Sequence, residues 1–187
     1  MIKIRLSCFI FISVVILACN KSQNDAQIDV SKQDQVDYNG NLISSWLNDG
    51  QWESKVFTTQ EQNLFNGLDT ANVTGTLMPD SVALSSAFFF PNPFTTIASL
   101  MFTFSGGYNG QVELEYVIVD NHMNIKNMGA YRVQATADQN MPSAPSVSNF
   151  IHLSPNVPVG LYRIYLTLST DVKRNFYMTW GNIQRSS

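Results

Sequence analysis

From about residue 71 onward, short apolar runs alternate with turn-forming residues. The runs are rich in β-branched and aromatic residues, and Gly, Pro, Asn or Asp separates each run from the next. This pattern is typical of antiparallel all-β domains. It predicts seven strands: Ser81–Phe90, Thr96–Ser105, Gln111–Val119, Gly129–Ala137, Asn149–Ser154, Gly160–Ser169 and Asn175–Ile183. Seven short strands at this spacing predict a β-sandwich.

The run Gln111–Val119 has the clearest alternation of apolar and polar residues. Side chains two residues apart lie on the same face of a strand. Val112, Leu114, Tyr116 and Ile118 are therefore predicted to face the core, and Gln111, Glu113 and Glu115 to face solvent. Together the runs predict a single all-β domain over residues 81–187. We expect an immunoglobulin-like or fibronectin-III-like antiparallel β-sandwich of about seven strands.

Residues 42–80 are predicted to form a short helical or irregular extension that packs on the sandwich. Leu42, Ile43, Trp46 and Leu47 have helical spacing, and Gln51–Phe57 has the composition of a strand with Trp52 and Val56 on one side. Thr58 and Glu61 have the spacing of a capping box, which predicts the start of a helical turn.

The first 18 residues have the features of a secretory signal peptide. Lys3 and Arg5 precede an apolar run from Leu6 to Leu17, and the small residue Ala18 follows it. The run is too short to span a bilayer, which takes about 20 apolar residues. Residues 1–18 are therefore predicted to be removed on export.

The end of this segment, Ile16-Leu17-Ala18-Cys19, resembles the lipobox of bacterial lipoproteins. The resemblance implies cleavage before Cys19, lipidation of the Cys19 thiol and attachment to a membrane through this N-terminal lipid. It also implies a location at the outer membrane of a Gram-negative bacterium, on either the periplasmic or the surface face. The alternative is an ordinary secretory signal in which Cys19 has no role.

Residues 19–41 are polar and are predicted to form a flexible tether that begins at Cys19. Loss of Lys3 and Arg5 with the signal takes the formal charge from −3 to −5. The chain has no cluster of Lys and Arg to neutralise phosphates, so a nucleic-acid partner is not expected. Because Cys8 also leaves with the signal, the exported domain has neither a disulfide nor a free thiol once Cys19 is lipidated.

Three motifs in the predicted sandwich resemble a known family. They are Phe90-Pro91-Asn92-Pro93-Phe94 with Thr96-Ile97, the run Val112–Asp120, and Gly160-Leu161-Tyr162-Arg163-Ile164. Their order and spacing are similar to those of the C-terminal sorting domains of the type IX (Por) secretion system and of flagellar hook-capping proteins. The resemblance implies a Bacteroidetes-type source and a β-sandwich. It also gives an alternative function, an accessory or cargo-like component of type IX secretion.

Two tripeptides match the Asp-Ser/Thr-aliphatic pattern of O-glycosylation in the same phylum. They are Asp69-Thr70-Ala71 and Asp80-Ser81-Val82, which make Thr70 and Ser81 candidate glycosylation sites. Such tripeptides are common, and ordinary turn residues are the alternative interpretation.

Catalytic chemistry has little support in this sequence. Glu113 and Glu115 would lie about 7 Å apart on one strand face, but a glycosidase needs its carboxylates on opposite sides of the substrate. His122 and His152 lack metal-ligand spacing, and a calcium loop at Asp120–Asn124 or Asp138–Asn140 would supply only about half of the oxygens that calcium needs. We therefore predict no enzyme activity, no catalytic residues, no cofactor and no metal.

Aromatic residues are the remaining candidates for binding. Trp46, Trp52 and Tyr108, and with them Tyr177 and Trp180, could form a platform for a glycan or a peptide. Core packing is the alternative, and it is favoured for Trp180, while Trp46 and Trp52 are expected to cover the sandwich. The sequence thus predicts a non-enzymatic binding or structural module for protein or glycan partners. It leaves the ligand and the oligomeric state open.

Overall fold

The computed structural model describes residues 27–45, 50–68, 83–105, 110–135, 148–169, 175 and 177–187. In chain order the elements are β1 (Gln35–Val36), β2 (Leu42–Ser44), α1 (Thr59–Asn63), β3 (Ala83–Phe90), β4 (Ala98–Ser105), β5 (Gly110–Val119), β6 (Ile125–Ala135), β7 (Ser148–Leu153), β8 (Gly160–Ser169) and β9 (Tyr177–Arg185).

The last seven strands form two antiparallel sheets. One has three strands in the order β3-β4-β7, and the other has four in the order β6-β5-β8-β9. This arrangement confirms the predicted all-β sandwich, in the fibronectin-III-like division of three strands and four. The predicted strand bounds agree within a few residues. The largest difference is at β6, which begins at Ile125 rather than at Gly129.

The core between the two sheets follows the predicted alternation along β5. Val112, Leu114, Tyr116 and Ile118 are all buried there. They pack with residues from both sheets, among them Phe89, Leu100, Phe102, Leu153, Ile164, Leu166 and Ile183. This inner face of β5 confirms the prediction from the sequence.

A second apolar cluster covers the other face of the four-stranded sheet. Phe57 and Leu64 from the N-terminal extension pack there on Val117, Tyr165 and Trp180. The prediction that this face of β5 is solvent-exposed is therefore wrong. Glu113 and Glu115 are only 1% and 4% exposed. The molecule consequently has three layers: the three-stranded sheet, the four-stranded sheet and the extension.

The extension begins earlier than predicted. The backbone N–H of Ile28 donates to the Asn121 carbonyl at 2.9 Å. The Asn182 side-chain amide donates to the carbonyl oxygen of Lys32 at 2.6 Å, and Gln33 donates to the side chain of Gln184 at 2.8 Å. From residue 27 to residue 41 the predicted tether is therefore docked on the sandwich, because side chains of the four-stranded sheet satisfy its backbone carbonyls.

Residues 42–57 also differ from the prediction. Leu42–Ser44 forms strand β2 against β1 rather than a helix, while Trp46 and Leu47 lie outside the described residues. Gln51–Phe57 is not a strand of a sheet, since Gly50 and Trp52 both have positive φ (75° and 61°) and turn the chain. The capping box is confirmed: the Thr58 N–H donates to Glu61 at 2.8 Å, and the Glu61 N–H donates to the Thr58 hydroxyl at 3.3 Å.

Asn92, between two cis prolines, joins β3, β9 and the extension. Its backbone N–H and carbonyl pair with Val36, both at 2.9 Å. Its side-chain oxygen accepts from the Gln184 N–H at 2.9 Å, and its side-chain nitrogen donates to the carbonyls of Asp34 and Asn182. The Pro-Asn-Pro motif therefore fixes the connection between the two sheets at one edge of the sandwich.

The strand registers define two ends of the sandwich. One end holds the β5–β6 turn at 120–124 and the loops 91–97 and 154–159. Phe94, in the first of these loops, pairs with Arg185 at the end of β9. We call this end of the sandwich the Asp120 end. At the opposite end lie Gly110, Ser169 and Tyr177, and we call it the Ser169 end.

Candidate binding surface

The two edges of the four-stranded sheet differ in how they are covered. Along β9, the backbone N–H groups of Trp52 and Lys55 donate to the carbonyls of Trp180 and Met178 at 2.7 and 2.9 Å, and Phe94 continues this cover toward the end of the strand. On the opposite edge, β6 pairs only with β5 among the described residues. With 11 residues, β6 is also the longest strand of the fold. An uncovered edge strand offers backbone donors and acceptors to a partner.

A pair of tyrosines lies beside this edge. The rings of Tyr116 and Tyr131 stack with their centroids 5.9 Å apart and their planes 19° from parallel. Tyr131 is directly opposite Leu114, so its side chain is on the inner face of the sheet. The facing sheet has only three strands, and Tyr131 remains 36% exposed. The result is a partly exposed aromatic surface next to strand backbone that has no second partner strand among the described residues.

Gly129 provides the space for Tyr116. The two residues are directly opposite in register, and a Cβ atom at position 129 would lie 2.7 Å from Cε1 of Tyr116. The Tyr116 ring therefore lies flat over the strand backbone, and its hydroxyl donates to Oδ1 of Asn127 at 2.8 Å. Tyr116 in turn supports the ring of Tyr131 from below. We define the β6 edge surface as Asn127, Gly129 and Tyr131, with Tyr116 beneath them.

The Tyr116 hydroxyl stays neutral over a wide pH range. Burial, and after it the neighbouring Tyr131, together raise the pKa of Tyr116 to about 12. The Tyr116 hydroxyl therefore remains a hydrogen-bond donor to Asn127 at every physiological pH.

The turn that begins β6 is held by Asp120. Its carboxylate accepts from the backbone N–H groups of His122 and Asn124 at 2.9 and 3.0 Å and from Lys126 Nζ at 2.9 Å. Desolvation by itself would raise the pKa of Asp120, but the hydrogen bonds from Lys126, Asn124 and His122 outweigh it and hold the pKa well below its usual range. The oxygens of the candidate calcium loop are thus engaged within the turn. Of the residues that can be described, none form a cluster of three potential metal ligands, and Asp138–Asn140 lies outside them.

Glu113 and Glu115 lie beneath the extension rather than on a free surface. Oε2 of Glu115 accepts a hydrogen bond from the Thr167 hydroxyl at 2.9 Å. Glu115 also lines an open polar pocket of about 410 Å³ with Asn63, Asn66 and Ser169 among its neighbours. The two glutamates sit on one strand face, so they do not face each other across a cleft as glycosidase carboxylates do.

The predicted aromatic platform is not assembled from the residues that the structure describes. Trp52 is half-buried and stacks on Phe89, with centroids 6.4 Å apart and planes 4° from parallel, so it covers the sandwich as expected. Tyr177 and Trp180 are each only 7% exposed, which confirms core packing for Trp180 and makes Tyr177 wrong as a binding candidate. Trp46 and Tyr108, like Cys19, Thr70 and Ser81, lie outside the described residues.

The two histidines are both exposed and lie in different parts of the fold. His122 is in the β5–β6 turn, and Nδ1 of His152 on β7 is 2.9 Å from the Ser99 hydroxyl. Tyr131 and Asn127 were not among the residues predicted from the sequence to bind a partner. The available signal was Gly129, which leaves a strand position without a side chain next to an aromatic on the neighbouring strand.

No protein-family model and no curated protein matches this chain. Within the described ranges, no helix is long and apolar enough to cross a membrane. The case for a function therefore rests on the geometry and on the sequence motifs.

Proposed function

We propose that this chain is a lipid-anchored cell-envelope protein whose sandwich serves as a non-enzymatic binding or structural module. The anchor is the lipidated Cys19 at the outer membrane of a Gram-negative bacterium, and the partner is a protein or a glycan. The signal segment and the lipobox resemblance support the anchor. The β6 edge surface supports the binding role.

The observation that carries the binding role is the difference between the two edges of the four-stranded sheet. The extension covers β9, whereas β6, which pairs only with β5 in the part of the chain that is described, carries the stacked pair Tyr116 and Tyr131 beside its free edge in that part. An extended peptide could add to β6 as a further strand, with Tyr131 contacting its side chains. A sugar ring could instead stack on Tyr131, because flat rings with a polar tip suit such contacts.

Binding screens on the exported chain test this role. We expect a peptide or glycan that binds the wild-type protein to lose most of its affinity for Tyr131→Ala. The matched control is Tyr38→Ala, since Tyr38 is 79% exposed and lies on the β1–β2 hairpin, far from β6 in the fold. Equal affinity of both variants would contradict a role for the β6 edge surface, and turnover of any library member would contradict a non-enzymatic function.

The anchor is tested separately by the mass and location of the mature protein. Lipidation predicts a diacylated or triacylated N-terminal Cys19 and release or mislocalisation of Cys19→Ala. Proteinase treatment of intact cells then distinguishes the two faces of the outer membrane, because only a surface-exposed domain is digested before the membrane is breached.

The alternative is an accessory or cargo-like component of type IX secretion. Its support is the order of the three motifs, but in this fold their residues have structural roles. Asn92 joins the sheets and the hydroxyl of Tyr162 donates to the Pro158 carbonyl at 2.9 Å. We therefore rank this alternative second. Export of a reporter fused to residues 84–187 would favour it.

A further inference from the structure

We infer that the Asp120 end of the sandwich rests on the bilayer surface. The inference deepens the proposed function, because it depends on lipidation of Cys19. The occupant of this end is the interfacial region of the lipid layer in which the anchor is inserted. Two independent observations support it: the point at which the described chain begins, and the distribution of exposed apolar side chains.

The described chain begins at the Asp120 end. Ile28 donates its N–H to Asn121 in the β5–β6 turn, and the Arg163 guanidinium donates to the Asp29 carbonyl at 2.7 Å. Cys19 is eight residues before Gln27, so the two Cα atoms are at most about 29 Å apart whatever the path between them. The ten-residue strand β5 is itself about 33 Å long. The lipid is therefore connected to the Asp120 end by a chain shorter than the sandwich.

Exposed apolar side chains gather at the same end. Of the nine large apolar side chains that are exposed in the described residues, four lie there: Ile97 (55% exposed), Ile125 (45%), Val159 (64%) and Leu161 (37%). They come from the loop before β4, the start of β6 and the region that begins β8. These segments are far apart in the sequence, and the fold brings them to one end of the sandwich. Apolar side chains on a rigid support are suited to insertion at the boundary of headgroups and acyl chains.

Hydrogen bonds hold the loops that carry these side chains. The Arg185 guanidinium donates to the carbonyls of Val157 and Thr95, which joins the loops bearing Val159 and Ile97. The Tyr162 hydroxyl donates to the Pro158 carbonyl and fixes the first of these loops from the other side. The apolar groups therefore have a defined arrangement and do not need to be ordered on contact.

The charge of this end makes the contact mainly apolar. Lys126 is paired with Asp120 at 2.9 Å, and Arg185 is engaged with backbone carbonyls. Asp120 thus compensates the charge of Lys126, and the hydrogen bonds of Arg185 are used within the fold, so we expect the contact to depend little on anionic lipid. With the Asp120 end at the membrane, β6 runs from Ile125 at that end away from the bilayer. Tyr131 therefore lies farther from the bilayer than Ile125 and can contact a partner.

Single-cysteine labelling of the lipidated protein tests this orientation. The sequence contains only Cys8, which leaves with the signal, and Cys19, which carries the lipid. An introduced cysteine is therefore the only free thiol. Val159→Cys and Ile125→Cys report on the Asp120 end. Asn66→Cys is the control, because the exposed Asn66 lines the pocket beside Ser169 at the opposite end.

Each variant is labelled with an environment-sensitive fluorophore and reconstituted in phosphatidylethanolamine–phosphatidylglycerol vesicles that contain lipids with a nitroxide near the headgroup. We expect at least twofold stronger quenching at positions 159 and 125 than at position 66, and little change when phosphatidylglycerol is omitted. Equal quenching at all three positions, with lipidation confirmed by mass, would overturn the inference but leave the proposed anchor intact.

Two further results would also overturn the inference. If the mass shows no lipid on Cys19, the proposed anchor fails and the inference fails with it. If the labels at positions 159 and 125 become shielded in detergent as the protein concentration rises, a second copy of the chain covers the Asp120 end instead of the bilayer.

Discussion

Gly181 on β9 lies directly beneath the indole ring of Trp52. A Cβ atom at position 181 would be 2.1 Å from Cζ2 of that ring and 2.2 Å from Cε2. The ring also stacks on Phe89 of the opposite sheet. Trp52 thus closes the gap between the two sheets at this edge, and only glycine leaves room for it.

We predict that Gly181→Ala lowers the free energy of unfolding by about 1–3 kcal/mol, because the rigid indole must move to admit the methyl group. Urea denaturation measures the loss. Gly67→Ala is the matched control, since its added Cβ would have only Cε of Met128 nearby, at 3.8 Å. Similar stability of both variants would show that Trp52 can move aside without cost.

Asn92→Ala should lower stability by about 2–4 kcal/mol. The substitution leaves the Gln184 N–H and the carbonyls of Asp34 and Asn182 without their side-chain partner, and each lost buried hydrogen bond costs about 1 kcal/mol. Asn66→Ala, at an exposed position, should change stability by less than about 0.5 kcal/mol. Comparable unfolding midpoints for the two variants would count against Asn92 as the junction of the sheets.

Stability should fall as the pH rises from 10 toward 12. The pKa of Tyr116 is raised from 10.0 to about 12 in the folded protein, so the unfolded chain releases this proton first and is favoured over that interval. Below pH 10 the group contributes no pH dependence. Tyr116→Phe removes this part of the loss, and the difference between wild type and variant, measured by urea denaturation at pH 8 and pH 11, isolates it. An identical pH dependence of both proteins would contradict the raised pKa.

Asp120 should produce the opposite dependence in acid. Its pKa is lowered in the folded protein, so its contribution is present above the ordinary value of 3.8 and is lost as the pH falls through the lowered pKa. At pH 7 we expect Asp120→Asn to cost about 1 kcal/mol, because the ion pair with Lys126 is lost. Chemical denaturation at pH 7 and pH 2 should show the gap between wild type and variant becoming smaller in acid. A gap of the same size at both pH values would mean that the carboxylate charge has no role in the turn.

Local patterns in the sequence predicted local structure well. The alternation along β5 placed Val112, Leu114, Tyr116 and Ile118 in the core, and the spacing of Thr58 and Glu61 predicted a real capping box. Both features depend on residues a few positions apart. The period of a strand and the first turn of a helix are set at that distance.

The errors came from contacts between residues far apart in the chain. Glu113 and Glu115 were predicted to face solvent, but Phe57 and Leu64 cover that face from about 50 positions earlier. Val117 and Val119 lie on the same face and are apolar, which was the only sign in the sequence that something packs there.

The prediction that residues 27–41 form part of a flexible tether was wrong for a related reason. Residues 27–41 are mostly polar, and among their side chains Val36 is buried and Ile28 packs on the second apolar cluster. The polar remainder is held by its backbone, since Asn182, Arg163 and Asn92 donate to the carbonyls of Lys32, Asp29 and Asp34. Amino-acid composition describes side chains and does not show which backbone carbonyls accept hydrogen bonds, so these backbone contacts could not be predicted from the sequence.

The docking of the extension on β9 also has a consequence for the order of folding. The residues that leave the ribosome early in synthesis pair with the strand that leaves it last among the nine. Trp52 and Lys55 have no backbone partner until Trp180 and Met178 have been made. The extension can therefore dock fully only once β9 is available, and a chain truncated before β9 would leave its N-terminal segment without these backbone partners.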